Sequence, residues 1–180
     1  MKKNIFNIVL FFLCSSLNAQ IQNVSVGGAV NMGSIKGNSP NIPAVGGSVF
    51  IDFYPWFEKD VSIRSSFTYA QTAEGIVPED RMGRYYSFIK LFSLKGFIRQ
   101  NFSGHVYIEA GAGLIYTNDR TYSDTNIWEP GAGFTAAVCY DFRDENKPGI
   151  SISTGFDYGI SFTQTEVSYT MFYIQAHYHF

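Results

Sequence analysis

Nine polar residues with chemical potential, Asp52, Arg64, Lys90, Lys95, Glu109, Asp141, Asp157, Gln175 and His177, fall on the small or polar parity of alternating segments. Arg64, Lys95, Glu109, Gln175 and His177 stand at similar depth when each is counted along its own segment. Carboxylates set among cations and a histidine are the material of a catalytic or transport site, or of a salt-bridged plug in which every buried charge has a partner. The other two histidines, His105 and His179, cluster toward the same segment ends as His177, and no Ser-His-carboxylate set converges from the sequence. His177 and His179 share a strand face but have no evident third ligand, so no metal is expected. Asn101-Phe-Ser103 and Gly111-Ala-Gly113 match fragments of a glycosylation sequon and a nucleotide loop without the surrounding context either needs. The plug is expected: Asp52, Arg64, Lys95, Glu109, Gln175 and His177 would form one paired interior network, with no catalytic residue and no cofactor.

The elements that must hold these groups are strands. In residues 150–162 the even positions are Ile150, Ile152, Thr154, Phe156, Tyr158, Ile160 and Phe162, and the odd ones are Ser, Gly or Asp. That period of two marks a strand with one apolar and one small or polar face. It recurs in residues 22–31, 43–54, 61–71, 105–117, 131–142 and 167–180. Residues 84–99 make an eighth segment in which Tyr85, Ile89 and Leu91 have one parity, and Leu94 and Ile98 the other. A β-bulge near residues 91–93 would put Lys90 and Lys95 on one face. Connections after the first, third and fifth segments are long and polar, at 32–41, 72–83 and 118–129, and those between are shorter, which predicts an up-and-down meander without crossover helices.

At 180 residues the chain is sized for one domain, 16% is charged and 17% aromatic. Charge is scarce for a soluble domain, and no mature stretch reaches the length of an apolar spanning helix. Met1-Lys2-Lys3-Asn4, the apolar run 5–13 and a small-residue stretch ending at Ala19 have the layout of a secretory signal peptide. Cleavage after Ala19 would leave residues 20–180 as the single mature domain, remove Cys14 and leave Cys139 without a disulfide partner. Lys2 and Lys3 leave with it, so 11 of the 13 basic residues face 15 acidic ones, and nothing resembles a basic stripe for nucleic acid.

Two barrels fit eight alternating strands, one with its apolar face inside and one with it outside. The polar face also carries Gly27, Gly46, Gly111, Gly113, Gly131, Gly133, Gly155 and Gly159. A face stripped of side chains suits a narrow lumen better than a wall in water. A strand of about 11 residues tilted near 40° crosses roughly 27 Å, enough for an apolar band of about 25 Å. The expected fold is therefore an all-β, eight-stranded antiparallel up-and-down transmembrane β-barrel of the outer-membrane type. Tyr54, Trp56, Tyr140 and Phe142 would form the periplasmic aromatic girdle, and Tyr69, Tyr116 and Trp128 the outer one. Ile174, Tyr178 and the terminal Phe180 resemble the C-terminal signal read by the barrel-assembly machinery.

Tyr86-Ser-Phe-Ile-Lys-Leu-Phe-Ser-Leu-Lys95 followed by Val106-Tyr-Ile-Glu-Ala-Gly-Ala-Gly113 resembles the paired fourth and fifth strands of the PorT-like and OmpX-like outer-membrane barrels of Bacteroidetes. The Ala19-Gln20 junction and Tyr158-Gly-Ile160 point the same way. Lys90 stands where those families often have Pro, and His177 and His179 replace a Gly-rich ending, so no residue role is carried over. The resemblance implies an integral outer-membrane protein. The loops 72–83 and 118–129, with Glu74, Asp119, Arg120, Trp128 and Glu129, suit contact with lipopolysaccharide, divalent ions or a protein. The expected role is non-enzymatic, structural or surface-interacting, with outer-membrane lipids as partners; the alternatives are an accessory subunit of a secretion or assembly complex and a lipid-modifying enzyme.

Overall fold

A computed structural model of the chain describes residues 21–37, 39–55, 58, 60–75, 85–143 and 147–180. The proposed signal segment 1–19 and Trp56 lie outside the described residues. The eight strands are β1 (Ile21–Lys36), β2 (Ile42–Pro55), β3 (Val61–Thr72), β4 (Phe88–Ser103), β5 (Val106–Arg120), β6 (Ile127–Asp141), β7 (Gly149–Ser161) and β8 (Ser168–His179). Each pairs antiparallel with the next, and β1 closes on β8 from Ser25↔His179 to Lys36↔Ser168. Closure leaves no strand edge to recruit another chain. The start of β1 and the end of β8 mark the lower end of the barrel, and the end of β3 marks the upper end.

Alternate residues define the two faces. Val30, Met32, Val49, Leu94, Ile98, Leu114, Phe172 and Ile174 are all more than half exposed on the outer wall. Inside, side chains crowd so closely that glycine is required opposite large ones. A Cβ on Gly111 would lie 2.6 Å from the Phe97 ring, and one on Gly159 2.5 Å from the Tyr169 ring. The bareness of the polar face is thus the complement of a filled lumen.

The strands extend further than the alternation predicts. β1 continues to Lys36, β5 continues to Arg120 and β6 begins at Ile127, so the loop expected at 118–129 shrinks to residues 121–126. Asp119 and Glu129 are therefore strand residues, fully buried on the inner face. Asp119 Oδ1 accepts from the Thr121 N–H at 2.8 Å and its hydroxyl at 2.7 Å. Glu129 accepts from Ser161 Oγ at 2.6 Å and from the Thr165 N–H at 2.7 Å, fastening the β7–β8 loop. They are loop anchors, which corrects their assignment to a contact surface.

Strand β4 brings the second correction. Its register runs without interruption from Tyr69↔Lys90 to Arg64↔Lys95, so the expected bulge at 91–93 is absent. The two lysines take opposite faces: Lys95 is buried in the lumen, and Lys90 lies on the outer wall with Nζ 5.6 Å from the centre of the Phe88 ring. Ile89 and Leu91 consequently point inward. With Ile35, Ala44, Ala70, Ile115, Val167, Tyr169 and Met171 they form an apolar cluster in the upper lumen, where the sequence predicts a polar interior.

Candidate functional site

Arg64 organises the lower lumen. Register aligns Asp52 on β2 with Arg64 on β3, so both occupy one level of the wall and reach inward. Arg64 Nε donates to Asp52 Oδ1 at 2.6 Å, and Nη2 donates to Asp52 Oδ2 at 3.1 Å and to Glu109 Oε1 at 2.7 Å. Its guanidinium also lies over the rings of Phe97, 4.2 Å away, and Phe50, 4.6 Å away. Two carboxylates and two ring faces replace the water that a buried cation has lost, which makes this pairing hold where an isolated charge would not.

The ladder continues downward. Arg99 Nη2 approaches Glu109 Oε2 at 3.6 Å, an ionic contact beyond hydrogen-bonding reach, and donates to the Tyr54 hydroxyl at 3.0 Å. Tyr54 is thereby a lumenal residue, only 7% exposed, and not the girdle aromatic expected of a ring near the strand end. Asp52 sets the parity of β2, and Tyr54, two positions on, must follow it inward. Asp52 Oδ2 further accepts from Ser25 Oγ at 3.2 Å and faces His177 Nδ1 at 3.3 Å.

Lys95 and Gln175, also expected in this network, sit beside it and are not joined to it by hydrogen bonds among the described residues. Lys95 Nζ donates to Asp157 Oδ1 at 2.5 Å and to Thr135 Oγ1 at 2.8 Å. Gln175 Nε2 and the Tyr173 hydroxyl are buried without a hydrogen-bond partner and line a cavity of about 40 Å³, whose wall also includes Arg64, Lys95 and Asp157. Sites for organic ligands occupy roughly 300–1,000 Å³, so this chamber is far too small to be one.

One constellation escaped the sequence reading. Ser153 Oγ lies 3.4 Å from His177 Nε2, and the opposite nitrogen faces Asp52, so a Ser-His-carboxylate set does converge at the lower end. Its three members come from β7, β8 and β2, and barrel closure between β1 and β8 brings β2 within reach of β8. The order of groups is that of an activated nucleophile, but here it is closed off from solvent. Ser153, His177 and Asp52 are each at most 2% exposed, neither Ser153 nor His177 borders the cavity, and Asp52 is held by Arg64. A parallel pair, Ser151 with His179 Nε2 at 2.9 Å, lies next to it, and the two imidazoles stack at 5.9 Å. Among the described residues no three His, Cys, Asp or Glu side chains gather in a metal-binding group.

Aromatics ring the outer wall. Tyr116 and Trp128 stack at 5.1 Å and Trp128 on Phe92 at 5.8 Å near the upper end, where Tyr69 is also exposed. Tyr140 and Phe142 meet at 4.7 Å near the lower end. Ile174, Tyr178 and Phe180 lie along one outward row, the last two with rings 5.1 Å apart.

These features define a closed, eight-stranded antiparallel barrel with a filled interior and an apolar wall, the fold of small outer-membrane barrels. Among solved structures it is similar to Neisserial surface protein A (NspA), with a TM-score of 0.64 and 11% identity over 86% of this chain and 96% of that one. It is also similar to Ail, the attachment invasion locus protein of Yersinia pestis, with a TM-score of 0.56 and 12% identity over 88% and 98%. The N-terminal β-barrel domain of Pseudomonas aeruginosa OprF matches with a TM-score of 0.52 and 16% identity over 89% and 100%. Neither a protein-family model nor a curated relative matches the chain.

Proposed function

We propose that the chain is an integral outer-membrane β-barrel of a Gram-negative envelope, non-enzymatic and non-conducting, with a structural or surface-interaction role. The carrying observation is the coexistence of an apolar, exposed outer wall with a lumen blocked twice, by the Arg64 ion network below and by the Ile89, Leu91 and Met171 layer above. An apolar wall of this kind suits lipid and not water, and the two filled levels among the described residues support a lumen without a path for substrate or ion. The lower end, where β1 begins and β8 ends, faces the periplasm, and the end at which β3 finishes faces outward. Residues 1–19 act as the export signal, and Ile174, Tyr178 and Phe180 present the last strand to the assembly machinery. The fold shared with NspA and Ail, a surface protein and an attachment protein by their names, supports a role at the cell surface, and the PorT-like and OmpX-like resemblance of residues 86–113 belongs to the same reading.

Expression of the full chain in a Gram-negative host followed by density fractionation tests this. The protein is expected in the outer-membrane fraction with heat-modifiable electrophoretic mobility; recovery as a soluble periplasmic protein would overturn the reading.

A further inference from the structure

At the upper rim the charged strand residues segregate by sign. Lys36, Lys90 and Arg120 occupy outward positions of β1, β4 and β5, whereas Asp119 and Glu129 turn inward and are fully buried. On the β3–β6 side the outer wall is layered. Leu94 and Leu114 pair at mid-height, Phe92 and Tyr116 one step up, Lys90 with Tyr69 next, where its other neighbour Asn118 is buried, and Phe88 with Arg120 highest. The order from mid-wall to rim is therefore aliphatic, aromatic and cationic.

Phe88 is the centre of the cationic tier. Lys90 Nζ and the Arg120 guanidinium lie 5.6 and 5.7 Å from its ring centre, and Tyr69 and Tyr85 pack against it at 5.5 and 6.4 Å. Tyr85 fixes the arginine from both sides: its hydroxyl donates to the Arg120 carbonyl at 2.7 Å and accepts from Arg120 Nε at 3.4 Å. Neither cation forms an ion pair with a carboxylate among the described residues. Two cations held over one ring, directly above an aromatic belt, stand where the phosphates of a lipid lie when its chains cover the wall below.

We propose that Lys90 and Arg120, with Phe88 and Tyr85, form a binding site on the barrel's outer wall for the phosphate groups of an outer-leaflet glycolipid. The inference rests on the outer-membrane reading above and adds the partner and its place. Arg120 supplies a planar, oriented donor set, and Lys90 a mobile point charge. The turning of Asp119 and Glu129 into the lumen keeps these two carboxylates off this wall.

The test reconstitutes the barrel in phosphatidylcholine nanodiscs doped with diphosphoryl lipid A or with its dephosphorylated counterpart, and counts co-purifying glycolipid by mass spectrometry. The phosphorylated form is expected to be enriched roughly tenfold, given two cations at a membrane surface. The double variant Lys90→Gln with Arg120→Gln is expected to reduce that preference to about twofold or less, while Lys36→Gln, on the β1–β8 seam, preserves it. Equal retention of both lipids, an unaffected double variant, or an equal loss in Lys36→Gln overturns the site. Heat-modifiable mobility monitors insertion separately: a barrel that inserts without phosphate preference defeats this inference alone, and one that never inserts defeats the outer-membrane reading beneath it.

Discussion

An arginine taken out of water must recover its hydration from the protein, and Arg64 does so with Asp52, Glu109 and two aromatic faces. Removing the cation leaves two buried carboxylates close together with one partner fewer, so the cost is that of an uncompensated charge and not of one lost contact. Arg64→Leu is expected to lower stability by about 3–5 kcal/mol in equilibrium urea unfolding from lipid vesicles. Gln175→Leu provides the contrast, because Gln175 Nε2 is already buried without a partner. Its loss is expected within about 1 kcal/mol of neutral, since an unsatisfied amide gives way to an apolar group of similar size. A loss for Arg64→Leu no larger than that of Gln175→Leu would mean that the ion network is incidental to stability. The Ser153-His177-Asp52 set follows the same logic, as hydrogen-bonded filling whose order of groups coincides with that of a catalytic triad.

Strands are where the sequence was most and least informative. In β7 and β8 the alternation runs unbroken, and faces read from it coincide with observed burial from Ser151 to Ser161 and from Tyr169 to His179. In β4 the same rule misled, because both parities carry apolar residues: Ile89 and Leu91 fill the upper lumen while Phe92, Leu94 and Ile98 cover the outer wall. A strand that is apolar on both faces has no internal signal of which side is out, and the odd separation of Lys90 and Lys95 calls for a bulge that the register does not contain. Tyr54 and Glu129 were misread for a related reason, since an aromatic or a carboxylate near a strand end is equally at home in a girdle, a loop or a lumen. Pairwise contacts across the barrel, such as Arg64 with Glu109 or Asp52 with His177, depend on closure and register and leave no trace in local pattern. Nitroxide labels on β4, placed in a Cys139→Ala background, check the corrected register. A label at position 92 is expected to collide readily with oxygen dissolved in the lipid, and one at position 91 to be shielded; the reverse pattern would restore the bulge.

For the molecule as a whole, closure depends on two layers of opposite chemistry stacked along one axis. The lower layer fills the lumen with paired charge and the rings of Phe50 and Phe97; the upper layer offers Ile35, Ile89, Leu91, Ile115 and Met171, which cannot hydrate a passing ion. On the proposed closed-lumen reading the layers are in series, so either one alone is expected to block conduction. The intact barrel is expected to give no stable channels in planar bilayers. Truncating only the upper layer, with Leu91→Ala and Met171→Ala, leaves the Arg64 network in place and is expected to remain silent. Truncating only the lower layer, with Arg64→Ser and Phe97→Ala, is likewise expected to be silent, provided that heat-modifiable mobility shows a folded barrel. Discrete conductance steps are expected only from the fourfold variant, in which both barriers are thinned at once. Channels from the intact protein would contradict the closed-lumen reading, and channels from the lower-layer variant would show that the apolar layer is not a barrier in its own right.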